Sequence, residues 1–401
     1  MEATDIKTLQ SEASATSDSV HKLLAGDGER VRSAHSPEAL DAFMEVLDAA
    51  SNGNFRARLV LNEAMVTADF PYLFADTLDR GVMAAFQAKV PNWQAFVAEG
   101  TNRDFRASKR LGIEGMQTVL AAVGERAEYP ERGPTEETPK TFTLAKYGAR
   151  FGISFETLIN DDLGLLRDLP SRLATAARRS EALAVTQAYC ASTGFNTGWF
   201  TAGNKNIATT GLGMTTTNAA LSIQSVGEAM SIMNSQLDVD GFPIIIEAFT
   251  LVVPPSLELT ARTILNATTI EVQGMQGAYN VLASNLQTAG LGLVTSNWMN
   301  GNLQLIVDPY IPMVVTSGSI SKTMWSLWAS KSAGRTALEM TYLEGHATPE
   351  LFMKVPNASR VGGGTVPESF ETDSSEYKIR HIYGVNQYEP KMAFASNGNG
   401  S

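Results

Sequence analysis

The sequence predicts an α+β fold, and three observations support that prediction. A period-two alternation, with Phe142 and Leu144 on one side, marks a half-buried strand that begins at Thr141. After Pro170 the small and apolar residues change to helical spacing, which continues to Cys190. Further along the chain, strand-like and helix-like segments are mixed without a regular βαβ rhythm, which favours α+β.

Composition is typical of a globular protein and excludes several functional classes. The 401 residues are too many for one compact core, so two or more lobes are expected. A net charge of −11 is unfavourable for a dedicated nucleic-acid binder, although a local basic face is compatible with it. The single cysteine, Cys190, excludes an intrachain disulfide and a cysteine-based metal site. No apolar run is long enough to span a bilayer, and the first residues lack the apolar core of a secretory signal.

The first ninety residues are predicted to hold a polar arm, a helix and an apolar arm. Residues 1–35 are rich in Ser, Ala and Thr and are expected to pack poorly. Ser36 as N-cap and Pro37 at the first position start a helix that runs to Leu47. The second arm, from Phe55 to Val90, is expected to lie against its own body or a neighbour because it carries many large apolar residues. These are Phe70, Tyr72, Leu73, Phe74, Val82, Met83 and Phe86.

A charged segment from Gly124 to Lys140, named the flap from here on, is predicted to project from the body as a long two-stranded hairpin. It contains three prolines and many charges, so it contributes little to a core. An isolated hairpin is marginal in water, so a long one is expected to rest on another surface. Its charged residues are therefore candidates for a subunit interface. They are Arg126, Glu128, Glu131, Arg132, Glu136, Glu137 and Lys140.

The central strand leads into a long Ala-rich helix. Asn160, Asp161 and Asp162 are expected to cap it, and Pro170 suits its first turn. Small residues form one face and let other backbone approach closely, with charged residues between them. The small residues include Ala176, Ala177 and Ala184, and the charged ones are Arg172, Arg178, Arg179 and Glu181. The Arg178–Arg179 pair is a further candidate for inter-subunit salt bridges, with a solvated helix face as the alternative.

The second half of the chain is predicted to mix buried strands, helices and loops. The predicted elements are a loop at 194–213, a helix from Asn218 to Leu237, a strand from Phe249 to Val253, a helix around Leu257 to Leu265, a fully buried strand from Leu303 to Val307, strands from Thr323 to Ala329 and from Thr336 to Leu343, a loop from Gly345 to Ser375, and a strand with Tyr377, Ile379, His381 and Tyr383 on one face.

Catalytic and metal-binding patterns are scarce. None of GxSxG, GxxxxGK[ST], HExxH or a helix-opening GxGxxG is present. Cys190 has no orienting histidine near it in sequence and is interpreted as a small buried apolar residue. Adjacent Asp161 and Asp162 do not face the same way, which favours capping over a carboxylate pair. The histidines follow no ligand spacing, so no metal or cofactor is predicted; they are His21, His35, His346 and His381.

The positive features are suited to contacts between copies of one chain. They are the apolar arm, the charged flap, the small-faced helix and a Gly/Pro-rich loop between strands, which together indicate an assembly subunit. A basic cluster is the best local candidate for a patch that faces DNA, with a solvated helix face or contacts to a neighbouring flap as the simpler interpretation. The cluster consists of Arg103, Arg106, Lys109 and Arg110.

Two stretches resemble a known family. FGISFETLINDDLGLLRDLPSRLATAARRSEALAV, which starts at Phe151, is similar to the strand, "INDDL" run and Ala/Arg-rich helix of Mu-type major head subunits. YKIRHIYGVNQYEPKMAF, which starts at Tyr377, is similar to that family's closing strand. The resemblance covers roughly Phe55 to Phe394 and identifies the chain with the major capsid proteins of tailed bacteriophages, whose fold is shared with herpesvirus shells and encapsulins.

The resemblance implies a tailed-phage major capsid fold with defined parts. The implied parts are an N-terminal extension at 1–54, an N-arm at 55–118, an extended loop hairpin at 119–153, a peripheral domain with a long spine helix at 154–204, an axial domain at 205–335, peripheral-domain strands and an outer loop at 336–385, and a C-terminal segment at 386–401. Some members cross-link a lysine of the extended loop to a neighbour, but no partner for Lys140 or Lys146 is identified. The stretch before Phe55 is shorter than the cleaved scaffold of other members.

The resemblance also implies a non-enzymatic shell subunit that forms hexamers and pentamers around double-stranded DNA. The implied partners are further copies of the chain, a scaffold protein and a portal protein, with a decoration protein left open. The DNA is expected to be contacted weakly, and neither a membrane nor a small-molecule substrate is expected. The implied location is the virion, after assembly in the host cytoplasm. Two alternatives remain open: an encapsulin-type compartment, which needs a pocket for a cargo peptide, and an α+β hydrolase that uses Cys190 or a serine.

Overall fold

The computed structural model describes residues 70–110, 140–154, 163–237, 249–267, 301–330, 336–354 and 374–400, together with isolated positions and short stretches between them. Within this part of the chain, none of the helices combines the length and hydrophobicity that a membrane crossing needs. The helices are α1 (Phe70–Ala88), α2 (Leu163–Tyr189), α3 (Ile223–Asn234), α4 (Glu258–Asn266), α5 (Ile311–Val314) and α6 (Ile320–Thr323).

The strands are mostly short, apart from β6 and β16. They are β1 (Val97–Asn102), β2 (Ser108–Arg110), β3 (Ile113–Glu114), β4 (Thr135–Glu136), β5 (Lys140–Phe142), β6 (Ala145–Ser154), β7 (Cys190–Ala191), β8 (Gly194–Phe195), β9 (Phe249–Val253), β10 (Thr269–Val272), β11 (Leu293–Ser296), β12 (Leu303–Val307), β13 (Trp325–Ala329), β14 (Leu338–Leu343), β15 (Glu350–Met353), β16 (Ser374–Gln387) and β17 (Ala393–Ser396). This mixture confirms the α+β class.

The chain divides into two compact units, the first formed by residues 1–90, 145–180 and 343–383. In this unit β16 pairs antiparallel with β6 along one edge and with β15 along the other. Gly148 is required in β6 because a Cβ there would lie 2.5 Å from the carbonyl oxygen of Ile379. Helix α1 packs on β15, where the carboxylate of Asp79 accepts a hydrogen bond from the Leu351 N–H at 3.0 Å.

Helices α1 and α2 meet in the first unit through small residues. Phe86 packs against Ala174 and Ala177, so the small face of α2 accommodates an aromatic ring of the apolar arm. Val82 and Phe86 are almost completely buried, which shows that this part of the arm lies against its own body. Ala176 is exposed, contrary to the prediction, because the contact with α1 lies on the other side of the helix.

The second unit, residues 91–144, 181–342 and 384–401, is built on a four-stranded sheet in the order β12-β9-β13-β17. β12 and β9 are parallel, and the other neighbours are antiparallel. β9, β13 and β17 are buried along their whole length. β12 lies where a strand was predicted, from Leu303 to Val307. It is not fully buried as predicted, because it lies at the edge of the sheet and exposes Gln304.

An aromatic cluster fills the core of the second unit around Trp328. The ring of Trp328 lies 4.9 Å from Phe96, 5.3 Å from Tyr189 and 5.8 Å from Trp199, measured between centroids. Its indole N–H donates to the Ser326 hydroxyl at 2.9 Å, so the one polar atom of the ring is satisfied.

Helix α3 is shorter than the predicted segment from Asn218 to Leu237. Ser222 and Ser225 form a reciprocal capping box, which begins the helix at Ile223. The helix ends at Asn234, so Leu237 lies beyond it and is 46% exposed. Val226, Met230 and Met233, which recur at helical spacing within it, are buried.

The long helix α2 begins at Leu163, seven residues before Pro170, and the prediction that Pro170 opens it is wrong. A proline inside a helix removes one backbone hydrogen bond. The Pro170 ring packs closely against Gly81 of α1. A Cβ added at Gly81 would lie only 3.1 Å from the Cβ of Pro170. Glu181 was predicted between the small residues but is fully buried, and it accepts a hydrogen bond from the Tyr342 hydroxyl at 3.0 Å.

Several other predicted strands and helices are confirmed, but β1, β10, β11 and β17 were not predicted, and β8 and β15 fall inside predicted loops. β9, β14, β16 and α4 lie at the predicted positions. β15 falls inside the predicted loop from Gly345 to Ser375, because its four residues become a strand only by pairing with β16. The polar arm, the Asn160–Asp162 cap and the helix from Ser36, except Glu45, lie outside the described residues; Glu45 is helical.

Candidate assembly surfaces

The base of the flap is an antiparallel ribbon, as the prediction of a two-stranded hairpin requires. β2 pairs with β5, and β3 pairs with β4. The ribbon is anchored in the second unit by Phe142, which is fully buried. Next to it, the N–H of Thr143 donates to the side-chain oxygen of Asn386 at 3.1 Å. The anchor fixes where the flap leaves the body.

The predicted interface residues of the flap lie in different settings. Arg126 and Glu128 are exposed, and Arg126 has a left-handed backbone with φ of 62°. Lys140 is half-buried in β5 opposite Arg110, and the backbone of Glu136 lies in β4 opposite Ile113. The remaining candidates lie outside the described residues; they are Glu131, Arg132 and Glu137.

The two arginines of α2 differ in their surroundings. The guanidinium of Arg178 lies 3.5 Å from the ring centroid of Phe86 and donates to the Phe86 carbonyl oxygen at 3.0 and 3.2 Å. Arg178 therefore ties α2 to α1 within the first unit. Arg179 is exposed, and it is the member of the pair whose side chain points outward.

Cys190 lacks the surroundings of a reactive thiol. It is buried, and burial together with the nearby charge of Asp308 raises the pKa of its thiol well above the ordinary value. A thiol nucleophile requires the opposite shift.

Asp308 has a structural role in the second unit. Burial raises the pKa of the Asp308 carboxyl, and hydrogen bonds from Tyr189, Thr186 and the Tyr310 N–H offset part of that rise. The Thr186 hydroxyl donates at 2.7 Å and the Tyr310 N–H at 2.8 Å. These contacts join α2 to the end of β12. Both oxygens of the Asp308 carboxylate accept hydrogen bonds.

The two histidines that the structure describes, His346 and His381, show no ligand arrangement. His381 is buried and meets the ring of Phe86 edge-on at 5.4 Å, which is a packing contact. His346 contacts the carboxylate of Glu350. In the described ranges no group of three or more His, Cys, Asp and Glu side chains is placed to hold a metal ion. His21 and His35 lie outside those ranges.

Sequence reasoning missed Glu350 and Phe352 of β15. Glu350 pairs with Arg380 of β16 as well as with His346, and Phe352 lies beneath two cations of β16. The only signal available was the short run from Glu350 to Met353, which is too short to distinguish from a loop.

Comparison with known proteins places the chain in a family. The family model described as phage capsid protein matches residues 136–396. The chain is also similar to three solved structures. They are Mycobacterium phage Patience (11% identity, 83% of this chain and 91% of that chain, TM-score 0.42), the satellite phage P4 procapsid including the size determination protein Sid (11%, 79% and 89%, 0.40) and a virus-like particle from Pyrococcus furiosus (10%, 80% and 97%, 0.36). No curated protein matches the chain.

The structural likenesses have TM-scores too low to support an argument, so the assignment rests on the family match. That match runs from β4 to β17 and covers well over half of the 401 residues. It agrees with the two stretches that resemble head subunits and with the scarcity of catalytic groups. The chain belongs to the phage capsid protein family and is a structural subunit of a viral shell.

Proposed function

We propose that this protein is the major subunit of an icosahedral phage head, which it builds by forming hexamers and pentamers around double-stranded DNA. The family match over residues 136–396 is the observation that carries the proposal. The ribbon at the base of the flap supports it, because the flap leaves a well-anchored base and carries exposed charges. In a closed shell each such contact is repeated many times, so individually weak pairs become effective.

The parts of the subunit are proposed to have the roles that the resemblance implies. Residues 55–118 act as the N-arm, 119–153 as the extended loop, 154–204 and 336–385 as the peripheral domain, and 205–335 as the axial domain, between an extension at 1–54 and a C-terminal segment at 386–401. The first compact unit collects segments from both proposed peripheral stretches, which supports grouping them.

The shell subunit is proposed to act without catalysis. The raised thiol pKa of Cys190 and the structural contacts of Asp308 support this proposal over a hydrolase. Scaffold and portal proteins are proposed as assembly partners in the host cytoplasm. The packaged DNA is contacted weakly and without sequence preference, because a subunit with a net charge of −11 offers little positive field to phosphates.

Electron microscopy and sedimentation of the purified protein test the proposal. Closed shells or ring-shaped capsomers of five and six subunits are expected. A stable compact monomer at high concentration contradicts the proposal and favours the hydrolase. Shells that enclose a co-purified protein instead of DNA when isolated from the native source favour the encapsulin alternative.

A further inference from the structure

The last residues of the chain are held inside the second unit. β17, which ends at Ser396, pairs with β13. Ser396 is fully buried, and its hydroxyl donates to the carbonyl oxygen of Ala219 at 2.6 Å. One residue further on, the carbonyl oxygen of Asn397 accepts a hydrogen bond from the Thr323 hydroxyl at 2.9 Å. The backbone is therefore still fixed by the body of the unit after the strand has ended.

This chain end carries two consecutive Asn-Gly pairs, Asn397–Gly398 and Asn399–Gly400. An asparagine before glycine loses its side-chain amide readily, because glycine has no side chain to hinder its own backbone nitrogen. The glycine nitrogen gives up its proton and attacks Cγ of the asparagine, and the amide group leaves with that proton as ammonia. Water then opens the cyclic succinimide to aspartate or isoaspartate. Each reaction thus hydrolyses one amide and adds one negative charge.

The fold occupies the reacting nitrogen in both pairs. The N–H of Gly398 donates to the Ser396 hydroxyl at 3.2 Å. The N–H of Gly400 donates to the carbonyl oxygen of Asn218 at 2.9 Å. To react, each nitrogen has to turn toward the asparagine side chain that precedes it. Both hydrogen bonds therefore have to break before a succinimide can form.

The backbone at Gly398 is also confined by its surroundings. Its φ of 65° lies in the left-handed region, and a Cβ there would lie 1.9 Å from the carbonyl oxygen of Thr323. Ring closure requires the backbone between Asn397 and Gly398 to rotate, and the close contact with Thr323 opposes that rotation. The first pair is therefore held by a hydrogen bond and by steric confinement together.

The two asparagine side chains lie in different environments. Asn399 is exposed, whereas the Oδ1 atom of Asn397 is buried, and no hydrogen-bond donor reaches it in the described part of the chain. Glycine at position 194 makes room for this atom, since a Cβ there would lie 2.8 Å from it and 3.4 Å from a methyl group of Ile320. A carboxylate in place of the Asn397 amide would put a charge into this confined position, which is costly without a partner.

We propose that Asn397 and Asn399 are latent deamidation sites, which the folded second unit keeps closed and which react when the chain end detaches from it. Deamidation is irreversible, and at Asn397 the new carboxylate does not fit back into the place of the amide. The reaction therefore marks chains that have opened and hinders their return to the native state. This chemistry belongs to the single folded chain and is independent of shell assembly.

Peptide mapping by mass spectrometry tests whether the fold protects the two sites. Trypsin cleaves after Lys391 and releases residues 392–401, which contain both Asn-Gly pairs. The folded parent and the parent unfolded in guanidinium chloride are incubated side by side in warm, mildly alkaline buffer. Deamidation at both asparagines is expected to be slower by about tenfold or more in the folded chain, because the reaction waits for local opening. Equal rates in the two states overturn the proposal, and so does an unfolded chain that does not deamidate.

Two variants that imitate the product test whether deamidation marks the chain. Asn397→Asp places a carboxylate at the confined position, and Asn399→Asp, the matched control, places one at the exposed position. Asn397→Asp is expected to melt at a lower temperature than the parent, whereas Asn399→Asp is expected to melt like the parent. The deficit of Asn397→Asp is expected to shrink in acid, where the new carboxyl group is neutral, which separates a buried charge from a change of shape. Identical melting of the two variants, or a deficit that does not change with pH, overturns the marking role of Asn397.

Discussion

The two largest sheets of the described structure bury their side chains to different extents. In the second unit β9, β13 and β17 are buried from end to end, and aromatic rings surround Trp328. In the first unit the first six residues of β6 are exposed, and Lys146 and Arg150 are among them. The four-stranded sheet of the second unit is covered within one chain, whereas β6 of the first unit leaves exposed side chains that a partner can cover. A shell subunit needs both, because it has to fold alone and then associate.

The pKa values of two carboxylates, Asp308 in the second unit and Glu350 in the first, are shifted in opposite directions. Burial raises the pKa of Asp308 in the second unit, and hydrogen bonds only partly offset that rise. Burial also acts to raise the pKa of Glu350 in the first unit, but hydrogen bonds from His346 and Arg380 outweigh it and lower the pKa. The two groups therefore change the stability of the subunit with pH in opposite directions.

The largest expected loss of stability comes from opening the buried aromatic cluster. Trp328→Ala removes a fully buried indole and leaves a cavity, which typically costs about 3–5 kcal/mol of unfolding free energy. The control is Tyr147→Ala in β6, where a 42% exposed ring stacks on Tyr383 and its loss is expected to cost about 1.5 kcal/mol or less. Urea unfolding measures both. Equal losses at the two sites contradict the contrast between the sheets.

A moderate loss is expected from overpacking the contact of α2 with α1. Ala177→Leu forces a larger side chain against Phe86 and is expected to cost about 1–3 kcal/mol and to lower the yield of soluble protein. Ala176→Leu is the matched control, because Ala176 is exposed on the same helix and its substitution is expected to be nearly neutral. Melting temperatures decide the point. If both variants melt together, the position of the helix face is wrong.

A smaller, pH-dependent loss is expected at Glu350. Its lowered pKa means that the carboxylate stabilises the folded state above the ordinary glutamate pKa of about 4.3, and this contribution disappears as pH falls through the lowered value. Glu350→Gln is therefore expected to be less stable than the parent by about 1 kcal/mol or less at pH 7, because the group is partly exposed, and this difference is expected to shrink as pH falls through the lowered pKa.

Asp308→Asn serves as the comparison for Glu350→Gln. Because the pKa of Asp308 is raised, the parent is expected to lose stability relative to this variant as pH rises from about 4 through that raised value. Denaturant titrations at several pH values measure both differences. Parallel pH profiles for the two variants contradict the assigned directions.

The smallest expected effect on unfolding comes from removing the flap. Replacement of Arg126–Lys140 by a short Gly-Ser turn is expected to leave a soluble subunit with an unchanged cooperative melt, because the segment is charged and broken by prolines. The same variant is expected to form no closed shells, or shells that dissociate as salt screens the remaining pairs. Circular dichroism reports the fold, and sedimentation with negative-stain images reports assembly. An unfolded product shows that the segment belongs to the core, and normal shells show that it is dispensable.

Local periodicity in the sequence was sufficient to predict many elements and the fold class, whereas the type of protein was predicted from the resemblance of two stretches to known head subunits. The α+β class, the strands β9, β14 and β16 and the helix α4 follow from spacing within a few residues, which the chain determines wherever it folds. It was also predictable that the flap is two-stranded and that its charged residues lie outside the core. Prolines and charges keep a segment out of a core whatever partner it has. The roles of those residues at an interface remain predictions.

Only the tertiary structure decided which side chains meet. Arg178 reaches the carbonyl oxygen of Phe86, 92 residues away in sequence, and Glu181 is buried beside Tyr342. β15 exists because it pairs with β16, and Pro170 is kept inside α2 by packing against Gly81. Periodicity is a property of neighbours along the chain, whereas each of these contacts depends on long-range packing that no local pattern records.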